Sequence, residues 1–292
     1  MLLAPLSTYL TRLFGIRAVV LSGCILQCTG YNLASLSSRT WQLFLTQGAL
    51  VGCGIGFIVI PCTAVLSQWF SKKRSIANGI SSAGSGVGGA AFSWGTAAMI
   101  RNLGLDWALR TTGLVALVAT VIAALLLRDR NHHIRPTQLA LDLGLLRHKR
   151  VVLLLLWAFV SMFGYIALLF SLSDFALAVG FSHRQATDLV GFLNIGTAVG
   201  RPIIGLVSDR FSRVVTAGTL TFLCGLICFA LWLPATSVGL TIVFSILCGA
   251  ILGVFWMVGP SHIQFHSSSG FYISNVTNSG RPSVRCVLKS PG

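Results

Sequence analysis

WFSKKRSIANGISSAGSGVGG, residues 69–89, sets three adjacent cations against a run of very small residues. Cations demand water, whereas the small residues offer little to solvate, so the segment suits a boundary between water and an apolar medium. Composition agrees. Of 292 residues, 54% are hydrophobic and 9% charged, against about 25% charged in ordinary soluble domains. Mean hydropathy is +0.83. All six acidic residues are Asp. The absence of Glu, which solvates surface helices and pairs along them, argues against a water-facing exterior.

The net charge of +15 raises nucleic acid as a partner, but Lys and Arg occur in short clusters between long apolar runs. That placement fits membrane topology and not a nucleic-acid surface. A helix needs about 20 mostly apolar residues to cross the hydrocarbon core. The sequence predicts eight such spans: Ala18–Leu36, Gln42–Phe70, Ile76–Ile100, Ala108–Leu127, Val151–Ser171, Gln185–Val207, Val214–Pro234 and Val238–Gly259. Lipid leaves no backbone group solvated, so helices are expected. The alternating pattern of an outer-membrane barrel is missing. The expected fold is therefore an all-α integral membrane protein in two half-bundles.

If the N-terminus is cytosolic, thirteen cations fall in inside segments and four (Arg39, Arg101, Arg110 and Arg184) in outside ones. The positive-inside rule requires that bias, and it puts both ends of a multi-pass protein in the cytosol. Lys72, Lys73 and Arg74 would then hold a short loop there. The longest polar connection, 128–150, separates four spans from four. Residues from Pro136 onward could form a surface helix or a solvated linker. The expected division is an incomplete N-terminal bundle over 1–127, a cytosolic linker over 128–150, an incomplete C-terminal bundle over 151–259 and a polar tail over 260–292.

No metal site or cofactor is expected. His132, His133 and His148 have no cysteine or acidic cluster near them, and Cys24/Cys28 and Cys224/Cys228 have no His or carboxylate. Seven cysteines lie inside predicted spans, where they read as small hydrophobes. No nucleophile–base pair is evident. GSGVGG lies inside an apolar helix, not after a strand, so it is no phosphate loop. An enzyme is not expected.

Small residues recur four apart at Gly79/Ala83, Ser82/Gly86, Gly84/Gly88 and Ser85/Gly89, and again at Gly48/Gly52/Gly56. Such faces let helix backbones approach closely. Gly84 is expected on a packed face, and two consecutive spans of this kind suggest helices that slide or rock.

WFSKKRSIANGISSAG resembles the signature of the monocarboxylate-transporter-like branch of the major facilitator superfamily. The likeness rests on Trp69, Phe70, Lys72, Lys73, Arg74, Ala77, Asn78, Gly79, Ala83 and Gly84. GRPIIGLVSDRFSR, residues 200–213, is similar to that branch's eighth helix and following loop, and fits G-x-x-x-D-R through Gly205, Asp209 and Arg210. The resemblance covers roughly 1–258, leaving the 260–292 tail outside the family, and implies a secondary transporter of small organic anions, with the spans as helices three to ten of twelve. On that mapping the chain is a shortened carrier, impaired in transport. A non-transporting scaffold or sensor, or a defective gene model, stays open beside it. The expected partners are the lipid bilayer and a small carboxylate, with no nucleic acid; the oligomeric state stays open.

Arg201 is the one cation deep inside a predicted span, Arg110 standing at the outer edge of its own. Such a residue is costly and marks a functional position by default, although it could also snorkel to headgroups. The resemblance puts it in the transport path, where a guanidinium can hold a carboxylate through two hydrogen bonds. Thr197 stands where animal carriers have a proton-coupling Asp, so proton coupling is not carried over. Ser81, Ser82, Ser85, Ser161, Tyr165, Asn194 and Thr197 are the polar residues that could line a pathway. Asp209 and Arg210 are candidates for a gate between helix ends.

Overall fold

In the computed structural model of the chain, residues 3–69, 74–127, 149–211, 213–235 and 237–254 are described. Lys72, Lys73, the connection over 128–148 with its expected surface helix, and the tail from 255 lie outside them. Among the described residues every regular element is a helix. They are α1 (Ala4–Phe14), α2 (Ile16–Ala34), α3 (Thr40–Leu43), α4 (Val51–Trp69), α5 (Arg74–Leu103), α6 (Leu105–Leu126), α7 (Lys149–Ala178), α8 (His183–Arg210), α9 (Arg213–Ile227) and α10 (Val238–Ile251). Two π-helical segments, Phe44–Leu50 and Cys228–Trp232, continue α3 into α4 and extend α9.

Five of these helical stretches are long and apolar enough to cross a membrane: Thr40–Leu66, Leu105–Leu126, Val151–Ala178, His183–Arg210 and Val215–Trp232. The other three expected spans are also helical. In α2 the apolar run is diluted by Arg17, Gln27 and Asn32, and in α5 by serines and glycines. The helix described in the last span, Val238–Ile251, has only 14 residues. Helices that pack on protein need less apolar surface than those facing lipid, and α2 and α5 are the helices on which α4, α6 and α8 pack most extensively. The outward faces of α6 and α7 make the contrast, with Leu125, Leu126, Phe159, Phe163 and Phe170 all exposed.

Turn chemistry sets the boundaries. Gly104 joins α5 to α6 at φ 82°, a conformation that excludes most side chains. Ser182 opens α8 with a reciprocal cap: its Oγ accepts from the Gln185 amide at 3.3 Å, and Gln185 Oε1 accepts from the Ser182 amide at 2.9 Å. Arg17 Nε donates to the Leu127 carbonyl at 3.0 Å, placing a cation on the negative end of α6. At the far end of the same pair, Arg110 Nε donates to Ser35 Oγ at 2.9 Å.

The N-terminal half is centred on α2, which packs against α4 and α6 with α1 alongside. Its buried core holds Ile16, Val20, Cys24, Val65 and Ala124. The close approach of α2 and α4 occurs at Gly23 and Gly54: a Cβ on Gly54 would stand 2.8 Å from the Gly23 carbonyl oxygen. Gly48 and Gly52, expected in that role, face open space. In the C-terminal half α8 is central, flanked by α7 and α10. The two halves meet chiefly through α5 and α8, the most extensive helix pair among the described residues.

Candidate functional site

α5 and α8 run antiparallel in contact from Ser75 to Trp94, roughly 30 Å of helix at 1.5 Å per residue, the thickness of the hydrocarbon core. At one end Asp209, in the last turn of α8, reaches the first turn of α5. Its Oδ1 accepts from the Ser75 amide at 3.2 Å and its Oδ2 from the Ile76 amide at 2.9 Å. A helix start has unpaired N–H groups and partial positive charge, so a carboxylate from another helix caps it in trans. Gly205, one turn earlier, makes the approach possible. A Cβ there would lie 2.7 Å from the Ser75 carbonyl oxygen and 2.9 Å from Ile76 Cα. The four-residue spacing of Gly205 and Asp209 thus has a physical meaning: one admits the α5 backbone and the other binds it. Arg210, next in sequence, is exposed. Arg74 heads α5.

Asp209→Ala is expected to lower stability by about 1–2 kcal/mol, the range for losing a charged cap. Asp209→Asn should recover only part of it, because its Nδ2 donates and cannot accept the second amide. Hydrogen exchange of the amides at the start of α5 checks the cause: unchanged protection in the Ala variant would rule out the cap.

Moving along the pair, a Cβ on Gly79 would meet the Arg201 carbonyl oxygen at 2.7 Å. One on Gly86 would meet the Ala198 amide nitrogen at 2.5 Å, and one on Gly89 would strike the Asn194 side chain. Gly84, expected on the packed face, has nothing within 4 Å of its Cβ position, and neither has Gly88. The four-apart pattern runs down more than one side of the helix, and α8 uses the side carrying Gly79, Gly86 and Gly89. At the far end Trp94 Nε1 donates to Asp188 Oδ1 at 2.9 Å. Its ring covers Gly191, where a Cβ would come within 2.6 Å. Sequence reasoning missed this tie, although a Trp amid tiny residues was the available signal.

Arg201 sits inside this seam and is only 4% exposed. Its Nη1 donates to the Ser82 carbonyl at 2.9 Å and to Ser85 Oγ at 2.6 Å, while Ser85 Oγ itself donates to the Ser82 carbonyl at 2.8 Å. Tyr165 of α7 reaches the same guanidinium. Arg201 Nε is buried without an acceptor. Gly253, at φ 94°, lies against the head group, where a Cβ would meet Nη2 at 3.0 Å. The structure therefore gathers Arg201, Ser82, Ser85 and Tyr165.

Two other pathway candidates have structural partners. Thr197 Oγ1 lies 3.0 Å from both the Leu193 and the Gly249 carbonyls, tying α8 to α10. Asn194 Nδ2 donates to the Val190 carbonyl at 2.9 Å while its amide lies on Gly89. Ser161 is half-buried one turn before Tyr165 on α7, and Ser81 is exposed. Pro202 follows Arg201 inside α8. Without an N–H it breaks the ladder at the Ala198 carbonyl, beside the Gly86 contact.

The sequence profile of the Major Facilitator Superfamily matches residues 1–278. The chain belongs to this superfamily. That match takes in the first part of the polar tail. Among curated proteins it is similar to "Probable transporter MCH2" of Saccharomyces cerevisiae, 33% identical over 258 residues that cover 87% of this chain and 54% of the relative. "Uncharacterized transporter ESBP6" of the same yeast is 36% identical, covering 87% of this chain and 39% of the relative. "Agnestins efflux protein AgnL12" of Paecilomyces divaricatus is 28% identical, with 89% and 60% covered. The chain thus spans about half the length of the curated relatives it matches. Its helices and family make it a multi-pass membrane protein of a transporter superfamily.

Proposed function

We propose that this major facilitator chain forms part of a secondary transporter for small organic anions of the monocarboxylate type, with Arg201 as the anion-binding group. The observation that carries the reading is the buried guanidinium with neutral partners: a serine carbonyl, a serine hydroxyl and a tyrosine. A charge removed from water costs several kcal/mol unless it is compensated (roughly, after relaxation). An arriving carboxylate compensates it, and Nε is a donor still unused. Ser85 and Tyr165 are the hydroxyls placed to complete the shell. Thr197 and Asn194 hold neighbouring backbone in place, and the residues that touch substrate are Arg201, Ser85 and Tyr165.

Gating follows from the two ends of the α5–α8 seam. Asp209 on Ser75 and Ile76 closes one side, and Asp188 with Trp94 closes the other. Releasing one while keeping the other lets the half-bundles rock about the arginine, as alternating access requires. The relative named as an efflux protein makes export a direction worth measuring alongside import.

Binding of a labelled small carboxylate to the purified chain tests the anion reading. Saturable binding should be competed by other monocarboxylates and not by the corresponding neutral amides. Equal competition by the amide would defeat the proposal, because a guanidinium distinguishes charge first.

The same reading places both ends and the 128–150 connection in the cytosol, from the thirteen-to-four cation bias. In a variant lacking native cysteines, a cysteine introduced within 128–148 should resist a membrane-impermeant maleimide on intact cells and react after permeabilisation. Labelling on intact cells would reverse the orientation.

A further inference from the structure

The C-terminal half holds a side-chain cluster that the transport reading leaves unused. Cys224 lies in the last turn of α9, and Cys228 opens the π-helical segment one turn later. Cys248 of α10 faces both. Its Sγ stands 4.0 Å from Cys224 Sγ and 3.9 Å from Cys228 Sγ, and the three sulfurs lie within 4.8 Å of one another. The surroundings are apolar, with Leu189, Leu193 and Phe244 in the same core. Cys248 is fully buried, whereas Cys224 and Cys228 are half-buried. The sequence showed only the Cys224/Cys228 pair. The third thiol comes from the next helix, and only packing brings it in.

We propose that Cys224, Cys228 and Cys248 form a three-sulfur site for Cu(I). Metal–thiolate bonds are about 2.3 Å long, so three sulfurs around one planar three-coordinate ion stand about 4.0 Å apart. The two edges from Cys248 already have that length. Zinc in a structural site takes four ligands, and no His or carboxylate joins this cluster among the described residues. Soft thiolate and thiol donors without nitrogen or oxygen favour Cu(I).

Charge balance favours the same ion. Cu(I) arriving at three thiols breaks one S–H bond and forms one copper–thiolate bond. The remaining two thiols donate lone pairs, and one proton leaves to solvent. Copper stays in the +1 state, no electron moves, and the complex is neutral. A divalent ion would have to expel two protons to reach neutrality. In an apolar core the neutral complex is the one that carries no desolvation penalty for net charge. Binding would cross-link α9 to α10 and stabilise the native chain by mass action.

The test uses the whole chain with Cys24, Cys28, Cys53, Cys62 and Cys286 changed to Ser, purified in detergent under anaerobic, reducing conditions. Cu(I) is added in competition with a chromogenic Cu(I) chelator, and thermal unfolding is followed in parallel. One Cu(I) per chain and a raised unfolding temperature are expected. Cys248→Ala and Cys224→Ser should each weaken binding at least about tenfold, the scale on which perturbing a metal site costs affinity. Cys224 is half-buried, so its Ser variant keeps the core filled, and size-exclusion profiles verify that both variants stay folded. Excess Zn(II) should leave the bound copper in place. Unchanged affinity in both variants, no copper retained against the chelator, or stoichiometric displacement by Zn(II) would each overturn the proposal.

Discussion

Gly86→Leu is expected to prevent stable assembly of the two half-bundles, whereas Gly84→Leu, two residues away in the same helix, is expected to be tolerated. A Cβ at Gly86 would sit 2.5 Å from the Ala198 amide nitrogen, 2.7 Å from the Asn194 carbonyl oxygen and 2.8 Å from Ala198 Cα. These are backbone atoms of α8, which cannot rotate away as a side-chain end could. The helices must separate, and the seam loses neighbouring contacts, including the Arg201 bonds to Ser82 and Ser85. Overpacking of this kind costs about 3 kcal/mol at the upper end of its usual range, a large part of a typical folding free energy of about 5–15 kcal/mol. At Gly84 the added side chain enters open space. Fluorescence size exclusion and detergent melting of the two variants decide between the faces. Equal behaviour would mean that α5 and α8 are not in backbone contact at Gly86.

The second large effect is expected at Arg201. Arg201→Gln should reduce carboxylate binding by about 100-fold or more, and Arg201→Lys by about tenfold, since hydrogen bonds to a charged group contribute about 1.5–3 kcal/mol each. Gln removes the charge. Lys keeps it but replaces a planar fork with a point charge, losing the two-pronged geometry that matches a carboxylate. Loss of the ties to α5 would also lower stability, so melting temperatures are measured beside the binding isotherms. The discriminating quantity is the selectivity for carboxylate over its amide: it should collapse in the Gln variant and survive in the Lys variant. Weaker binding with selectivity intact in Arg201→Gln would make Arg201 a structural brace and not the anion site.

Much of the architecture could be read from the chain because lipid simplifies the problem. Long apolar stretches must be helices there, since no water pairs their backbone groups. Among the described residues, those expected to form the last four spans lie mostly in α7 to α10 and in the π-helical segment after α9, with α7 beginning two residues early at Lys149 and α10 ending at Ile251. The hydropathy of α2 and α5 could have hidden them, but their length and the basic clusters beside them kept them visible. Arg201, Gly205 and Asp209 were all singled out as residues, yet the contacts they make were not. Asp209 could be seen as a helix-end carboxylate, but nothing local to it names Ser75 and Ile76 as its partners.

Local sequence was sufficient for what depends on local chemistry: helical membrane spans, their approximate limits, and an isolated cation among apolar neighbours. Periodicity says which residues share a face of a helix. It does not say which face meets another helix, and so Gly84 and Gly86 looked equivalent until α8 lay against one of them. Likewise a pair of cysteines one turn apart is the same string whether or not a third thiol arrives from the following helix. Contacts between segments more than a hundred residues apart, such as Arg201 with Ser82 and Ser85, arise from the packing of whole helices. The free energy of that packing depends on both surfaces at once, and either sequence segment alone contains only one of them.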